Sequence, residues 1–223
     1  MEKSDQKPPI LLVHGFRGNH LGLAEFQKLL EAKGYQVFSP DIPPAFNTQA
    51  ETLPIFTNFT KDGYADFIAN YILDNHLDRP VLIGHSMGSI LVAATAEKYS
   101  HLIHNKIFFL SPIATHPPKF ILPLIPLMAL VPNKFVDYVC TEFLIASVHR
   151  PKKRQILSIT YECSRRITSV KDEIRAAFFS MSHSISDFNF KKQAYFIAGN
   201  KDRMNSSRKV KEIAKKFHAE VSF

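Results

Sequence analysis

The stretch Val81-Leu82-Ile83-Gly84-His85-Ser86-Met87-Gly88-Ser89-Ile90-Leu91 decides how this chain folds. A short apolar run ends at Gly84, and an apolar helical pattern begins at Met87. Between them stands one Gly-x-Ser-x-Gly. Taken alone that string carries little information. Set between a buried strand and a helix, it describes a sharp turn that holds a serine in strained backbone at a sheet edge. The residues two places to either side must then lack side chains, and both are glycine. A helix N-terminus beneath the serine also favours the negative charge that develops in acyl transfer. Ser86 is the candidate nucleophile. The plainer alternative is a tight glycine-rich turn with an incidental serine.

Working outward, short β-rich runs alternate with amphipathic helices. Pro9 to Gly15 (PILLVHG) is near-continuously apolar, as a strand buried on both faces is. A helix follows around Leu23 to Lys33, with Leu23, Phe26 and Leu30 on one face and Gly34 placed to end it. Tyr35 to Ser39 reads as the next strand. Asp62 to Leu77 reads as a helix, with Tyr64, Phe67, Ile68, Tyr71 and Ile72 at helical spacing. Pro80–Gly84, Lys106–Pro112 and Ala194–Gly199 are further strands, and Met87–Tyr99 is a helix. Another helix carries Val210, Ile213, Ala214 and Phe217, and Ala219–Phe223 looks like the opening of one more strand. Alternation of this kind predicts an α/β domain, a mostly parallel sheet flanked by helices. The stretch from Ile113 to Phe190 breaks the rhythm and is too long for a simple crossover, so residues 114–190 are read as a helical lid inserted before the penultimate strand.

In a parallel sheet the strand ends gather at one edge, so His14-Gly15-Phe16-Arg17-Gly18-Asn19, after the first strand, can lie beside Ser86. A tetrahedral oxyanion needs two converging N–H donors, because one leaves most of the charge unpaired. The backbone N–H groups of Phe16 and Met87 are the natural pair.

These two motifs, in this order, resemble the α/β-hydrolase superfamily. The HG-F and GHSMG strings look like its lid-bearing serine esterase and lysophospholipase-like branch. The resemblance runs from Pro9 to the end of the chain. It implies one hydrolase domain over residues 1–223, and it implies that Asp202, in Gly199-Asn200-Lys201-Asp202, is the acid that orients the base. The alternative for Asp202 is capping of the helix near Ser206. Asp41, in the Ser39–Pro43 turn, matches a place where the family often has a structural aspartate.

The family's order is Ser, Asp, then a His after the final strand. That strand opens at Ala219 and the sequence ends at Phe223, so the final strand and the histidine loop are expected to be missing by truncation. Of the ten histidines none stands at the family's position for the base, and the alternative is that a lid histidine, His116, His149 or His183, reaches Ser86. His14 and His85 lie in the motifs, where the family does not use them as base. His20, His76, His101 and His104 are expected at the surface. His116, His149 and His183 fall in the lid. His218 precedes the last strand. Without a base a serine hydroxyl is a poor nucleophile, and slow labelling or none is the expectation for the chain as it stands.

Composition bounds the rest. Hydrophobic residues make up 45% and charged residues 22%, an ordinary globular balance that excludes a disordered chain. The greasiest run, Phe120 to Val131, is broken by Pro123 and Pro126 and is shorter than the roughly 20 residues of a membrane span. It either lines an apolar pocket or packs on the core. Cys140 and Cys163 imply no disulfide framework, and reduced thiols in a cytoplasmic protein are the plain reading. Residues 1–148 carry 11 Lys/Arg against 13 Asp/Glu, and residues 149–223 carry 17 against 7. With no nucleic-acid-binding motif beside them, these charges read as a solvated face rather than a nucleic-acid partner. No Cys/His ligand spacing or phosphate loop is present, so neither metal nor organic cofactor is implied. The expected function is cleavage of a small-molecule carboxylic ester through an acyl-enzyme on Ser86, with an apolar acyl group fitting the lid's apolar run. The alternative is a hydrolase-fold protein that binds a ligand or partner and catalyses nothing. The sequence gives no handle on oligomeric state.

Overall fold

The structure is a computed structural model, and it describes residues 7–45, 56, 58–116, 118–130, 134–135, 138, 153–164, 169–200, 202 and 206–223. Its frame is a six-stranded sheet in the order β2-β1-β3-β4-β5-β6, every neighbouring pair parallel. The strands are β1 (Ile10–Val13), β2 (Val37–Phe38), β3 (Val81–His85), β4 (Lys106–Leu110), β5 (Gln193–Ile197) and β6 (Glu220–Ser222). The strand that the sequence only opens near its end is thus formed, with Glu220 opposite Tyr195 and Ser222 opposite Ile197.

Alternation along β1 explains the layers. Leu11 and Val13 face one core and Ile10 and Leu12 the other, and all four are buried. The second face is covered by α1 (His20–Glu31), whose Leu23, Phe26 and Leu30 pack on Ile10, Leu12, Val81 and Ile83. The first face carries the larger core, built by α2 (Lys61–Asp74), α3 (Met87–Lys98) and the helix Ser207–Lys216 before β6. Helix α3 is apolar on nearly all sides because it is buried from Met87 to Ala96. Each fully buried Leu, Ile or Phe in this layer stabilises the fold by about 1.5–3 kcal/mol before conformational entropy is charged against it.

Element ends differ from the sequence reading by a few residues, for local reasons. Helix α1 starts at His20 rather than Leu23 because the Asn19 side chain accepts the Leu21 N–H at 3.0 Å and caps it there. It closes as expected at Gly34, whose φ of +78° suits the left-handed turn. Strand β2 is shorter than Tyr35–Ser39, pairing with β1 only at Val37 and Phe38.

Between β4 and β5 the described residues carry a 3-10 run over Lys119–Leu130, helix α4 (Lys153–Ser164), helix α5 (Val170–Ser182) and a short 3-10 turn at Ile185–Asp187. The helix Ser207–Lys216 is α6. Phe120, Leu124 and Leu127 of the 3-10 run are exposed, while Ile125 is buried. His149 and Cys140 lie outside the described residues, as does Val131 at the end of the apolar run.

Candidate active site

Register brings the candidate residues to one edge. Val13 pairs with Gly84, His85 with Leu110, and Leu110 with Ile197, so the C-terminal ends of β1, β3, β4 and β5 are level. Three of the non-glycine residues with positive φ stand just beyond these ends: Arg17 at 57°, Ser86 at 51° and Ser111 at 41°. Each such conformation costs on the order of 1–3 kcal/mol and persists only where its surroundings over-determine it.

Ser86, at φ 51° and ψ −118°, stands directly before α3, and its side chain makes no capping bond to that helix. Its N–H donates to Leu110 O at 3.0 Å, and its carbonyl accepts from the Ser89 N–H at 2.9 Å and from the Ser89 hydroxyl. Ser89 Oγ in turn accepts the Ile113 N–H at 3.3 Å, which ties the elbow to the loop after β4. The two elbow glycines are points of backbone contact. A Cβ on Gly84 would lie 2.4 Å from Gly88 O, and one on Gly88 would lie 2.1 Å from Val13 O.

The His14–Asn19 loop lies against this turn. A Cβ on Gly15 would come within 3.0 Å of Ser86 Cβ, so the loop packs against the serine at Gly15. Ser86, the buried Met87 and half-buried Phe16 are thereby brought together. Asp202 lies on the loop after β5, half-buried, with its own N–H donating to Gly199 O at 3.0 Å. It is close enough to the His85 imidazole for its charge to raise that group's pKa, although desolvation is the larger effect and leaves the pKa below the ordinary 6.5. The N-cap of α6 is Ser206, whose side chain accepts the Lys209 N–H. Among the described residues no imidazole is hydrogen-bonded to the Ser86 hydroxyl.

The motif histidines have other work. His14 is buried; its Nε2 accepts the Ile42 N–H at 2.7 Å, which leaves Nδ1 protonated and donating to Gly15 O at 2.9 Å. Burial lowers its pKa, so the ring is a neutral strut between β1's loop and the chain after β2. His20, expected at the surface, is instead partly buried: its backbone N–H and its Nδ1 both reach Asp41 Oδ1 at 2.8 Å. Asp41 is fully buried, with its Oδ1 held by His20. The signal that pairs it with His20 is absent from local spacing, since the two are joined only by the sheet.

A cavity of about 980 Å³ lies between the loop after β2, the start of α2 and one side of α5. Phe56, Phe59, Phe67, Phe178 and Phe179 are among its walls, and among the described residues Ser86 is not. Among the described residues no cluster of His, Cys, Asp and Glu could hold a metal ion, and no helix is long and apolar enough to cross a membrane.

A family model described as the alpha/beta hydrolase fold matches residues 8–139, more than half of the chain and inclusive of both the His14–Asn19 loop and the turn at Ser86. The chain belongs to this family. Its fold is shared with solved hydrolases at low sequence identity. A thermophilic esterase from Thermogutta terrifontis is 16% identical, with 97% of this chain and 80% of that one covered at a TM-score of 0.78. The enol-lactonase from Burkholderia xenovorans LB400 is 14% identical, covering 99% and 84% at 0.79. An esterase from Exiguobacterium antarcticum is 14% identical, covering 97% and 83% at 0.80. No curated protein matches the chain. Likeness at this identity establishes the α/β-hydrolase fold, and the chemistry must be argued from the site.

Proposed function

We propose that this protein is a serine hydrolase that opens carboxylic esters through an acyl-enzyme on Ser86. The observation that carries the reading is the strained serine at the head of α3 with the loop of Gly15 and Phe16 packed against it at Gly15. A carbonyl carbon attacked by Ser86 Oγ develops an oxyanion beside two backbone donors, Met87 N–H at the helix start and Phe16 N–H on the facing loop. Such donors stabilise the transition state more than the ground state, and each is worth about 3–4 kcal/mol in comparable sites. The alcohol leaves with a proton, and water then hydrolyses the ester on Ser86. Asp202, on the loop after β5, takes the part of the acid that would orient a base, and its electrostatic reach to His85 supports a place at this edge of the sheet. The substrate class is a small-molecule ester with an apolar acyl group.

A second reading, a hydrolase-fold protein that binds without turnover, is favoured by one observation: no described imidazole engages the Ser86 hydroxyl. The two separate on exposure to p-nitrophenyl acetate followed by intact-mass and peptide analysis. The enzyme reading expects an acetyl group on Ser86, lost in Ser86→Ala. Absence of that adduct together with absence of p-nitrophenol release would establish the binding reading. Release that persists in Ser86→Ala would place the nucleophile elsewhere.

A further inference from the structure

The loop that carries Phe16 is gripped from its outer side by the insertion between β4 and β5. Arg17 Nη1 lies 2.9 Å from Glu173 Oε1 of α5, and both side chains are only 9% exposed. Two residues on, Asn19 Oδ1 accepts from Cys163 Sγ of α4 at 2.9 Å while it also caps α1. Asn19 is fully buried and Cys163 nearly so. The same six-residue loop is pressed on its inner side against Ser86 through Gly15, and within itself it is closed by the Gly18 N–H to Gly15 O bond of 3.0 Å.

A buried ion pair repays its desolvation poorly, so it is weak evidence for stability and better evidence for a specified arrangement. Here the arrangement is that of a peptide whose N–H direction matters. Phe16 lies between Gly15, which packs against Ser86, and Arg17, which has a φ of 57° and pairs with Glu173. Two helices of the insertion therefore each contribute one polar contact to alternate residues of one loop.

We propose that Glu173 and Cys163 are positioning residues that set the Phe16 N–H over Ser86 by holding Arg17 and Asn19. The catalytic meaning rests on the reading of Phe16 as an oxyanion donor, but the mechanical coupling does not. The insertion is on this account a part of the active site although it supplies no reacting group.

The test compares the native chain with Glu173→Gln, Cys163→Val, Cys163→Ser and, as a surface control, Glu212→Gln, which breaks the exposed pair with Arg208. Two quantities are read: amide hydrogen exchange of peptides covering residues 14–19, and the rate at which a fluorophosphonate modifies Ser86. Glu173→Gln and Cys163→Val are expected to speed exchange in the loop and to slow labelling about ten- to a hundredfold, the scale on which small misplacements act. Cys163→Ser, which keeps a donor for Asn19, should match the native chain, as should Glu212→Gln. A packing role for Cys163 predicts the reverse order, because valine fills an apolar site better than serine. Unchanged loop exchange in Glu173→Gln and Cys163→Val, or a defective Cys163→Ser beside a normal Cys163→Val, would overturn the proposal. Should Glu173→Gln fail to fold, the cysteine pair still decides. Loop exchange that responds as expected in a protein never labelled at Ser86 would leave the coupling standing and remove the proposed hydrolase activity.

Discussion

A serine at φ 51° and ψ −118° holds free energy that glycine in the same place would not. Ser86→Gly should therefore stabilise the fold by about 1 kcal/mol in denaturant titration, strain relief exceeding the entropy gained by the unfolded chain, while ending acylation. A loss of stability in that variant would show that the serine side chain supports the turn. His14 gives the second residue-scale prediction. Its folded-state pKa is lowered from 6.5 by burial, so the unfolded chain takes up a proton that the folded chain refuses. Its contribution is complete above pH 6.5 and is lost as pH falls below that value. His85 and His104, also shifted down by desolvation, act in the same direction. Denaturant midpoints between pH 7.5 and 5 should fall, and His14→Ala, less stable throughout, should fall less steeply. An equal slope in the two proteins would mean that His14 is not the buried neutral strut described. At this scale the sequence made Ser86 and Asp41 readable, because a turn motif and a strand-end aspartate are local signals. The partnership of His20 with Asp41 was not readable, because it is created by the neighbouring positions of β1 and β2.

Elements were legible where burial writes a period into the chain. The apolar runs of β1, β3, β4 and β5 stand close to their expected places, since strands covered on both faces exclude polar residues. Ends were less legible, because caps decide them. Asn19 moves the start of α1 back to His20, and substituting Asn19 with alanine should cost about 1 kcal/mol for the lost cap, more with the loss of the Cys163 contact. The glycines of the site make a sharper contrast. A methyl at Gly88 meets backbone, Val13 O at 2.1 Å, which cannot move without the sheet. At Gly15 it meets Ser86 Cβ at 3.0 Å and both the His85 ring and the His85 backbone carbonyl at 3.3 Å, contacts far looser than the one at Gly88. Gly88→Ala is expected to lose about 3 kcal/mol or more by thermal or chemical denaturation. Gly15→Ala should stay folded with Ser86 acylation greatly slowed. Comparable destabilisation by both would contradict the close packing of α3 against β1.

Across the whole molecule, one parallel sheet puts every candidate on a single edge, and that edge is what the sequence could promise from alternation alone. What it could not show is the grip of the insertion. Arg17 and Glu173 belong to segments with no periodic relation, and only the packing of α5 on the β1 loop joins them. The same distance hides the setting of Asp202, which could be placed after β5, but whose proximity to His85 arises from level strand ends. The central claim is that this edge is built to make Ser86 a nucleophile. Exhaustive treatment of the native chain with a fluorophosphonate, with and without added imidazole, followed by peptide mapping, tests it most directly. The account predicts an adduct confined to Ser86, formed slowly and accelerated by imidazole, since the elbow and oxyanion donors retain a part of catalysis when no base touches the serine. No adduct at Ser86 under either condition, or modification spread over other serines at the same rate, would contradict it.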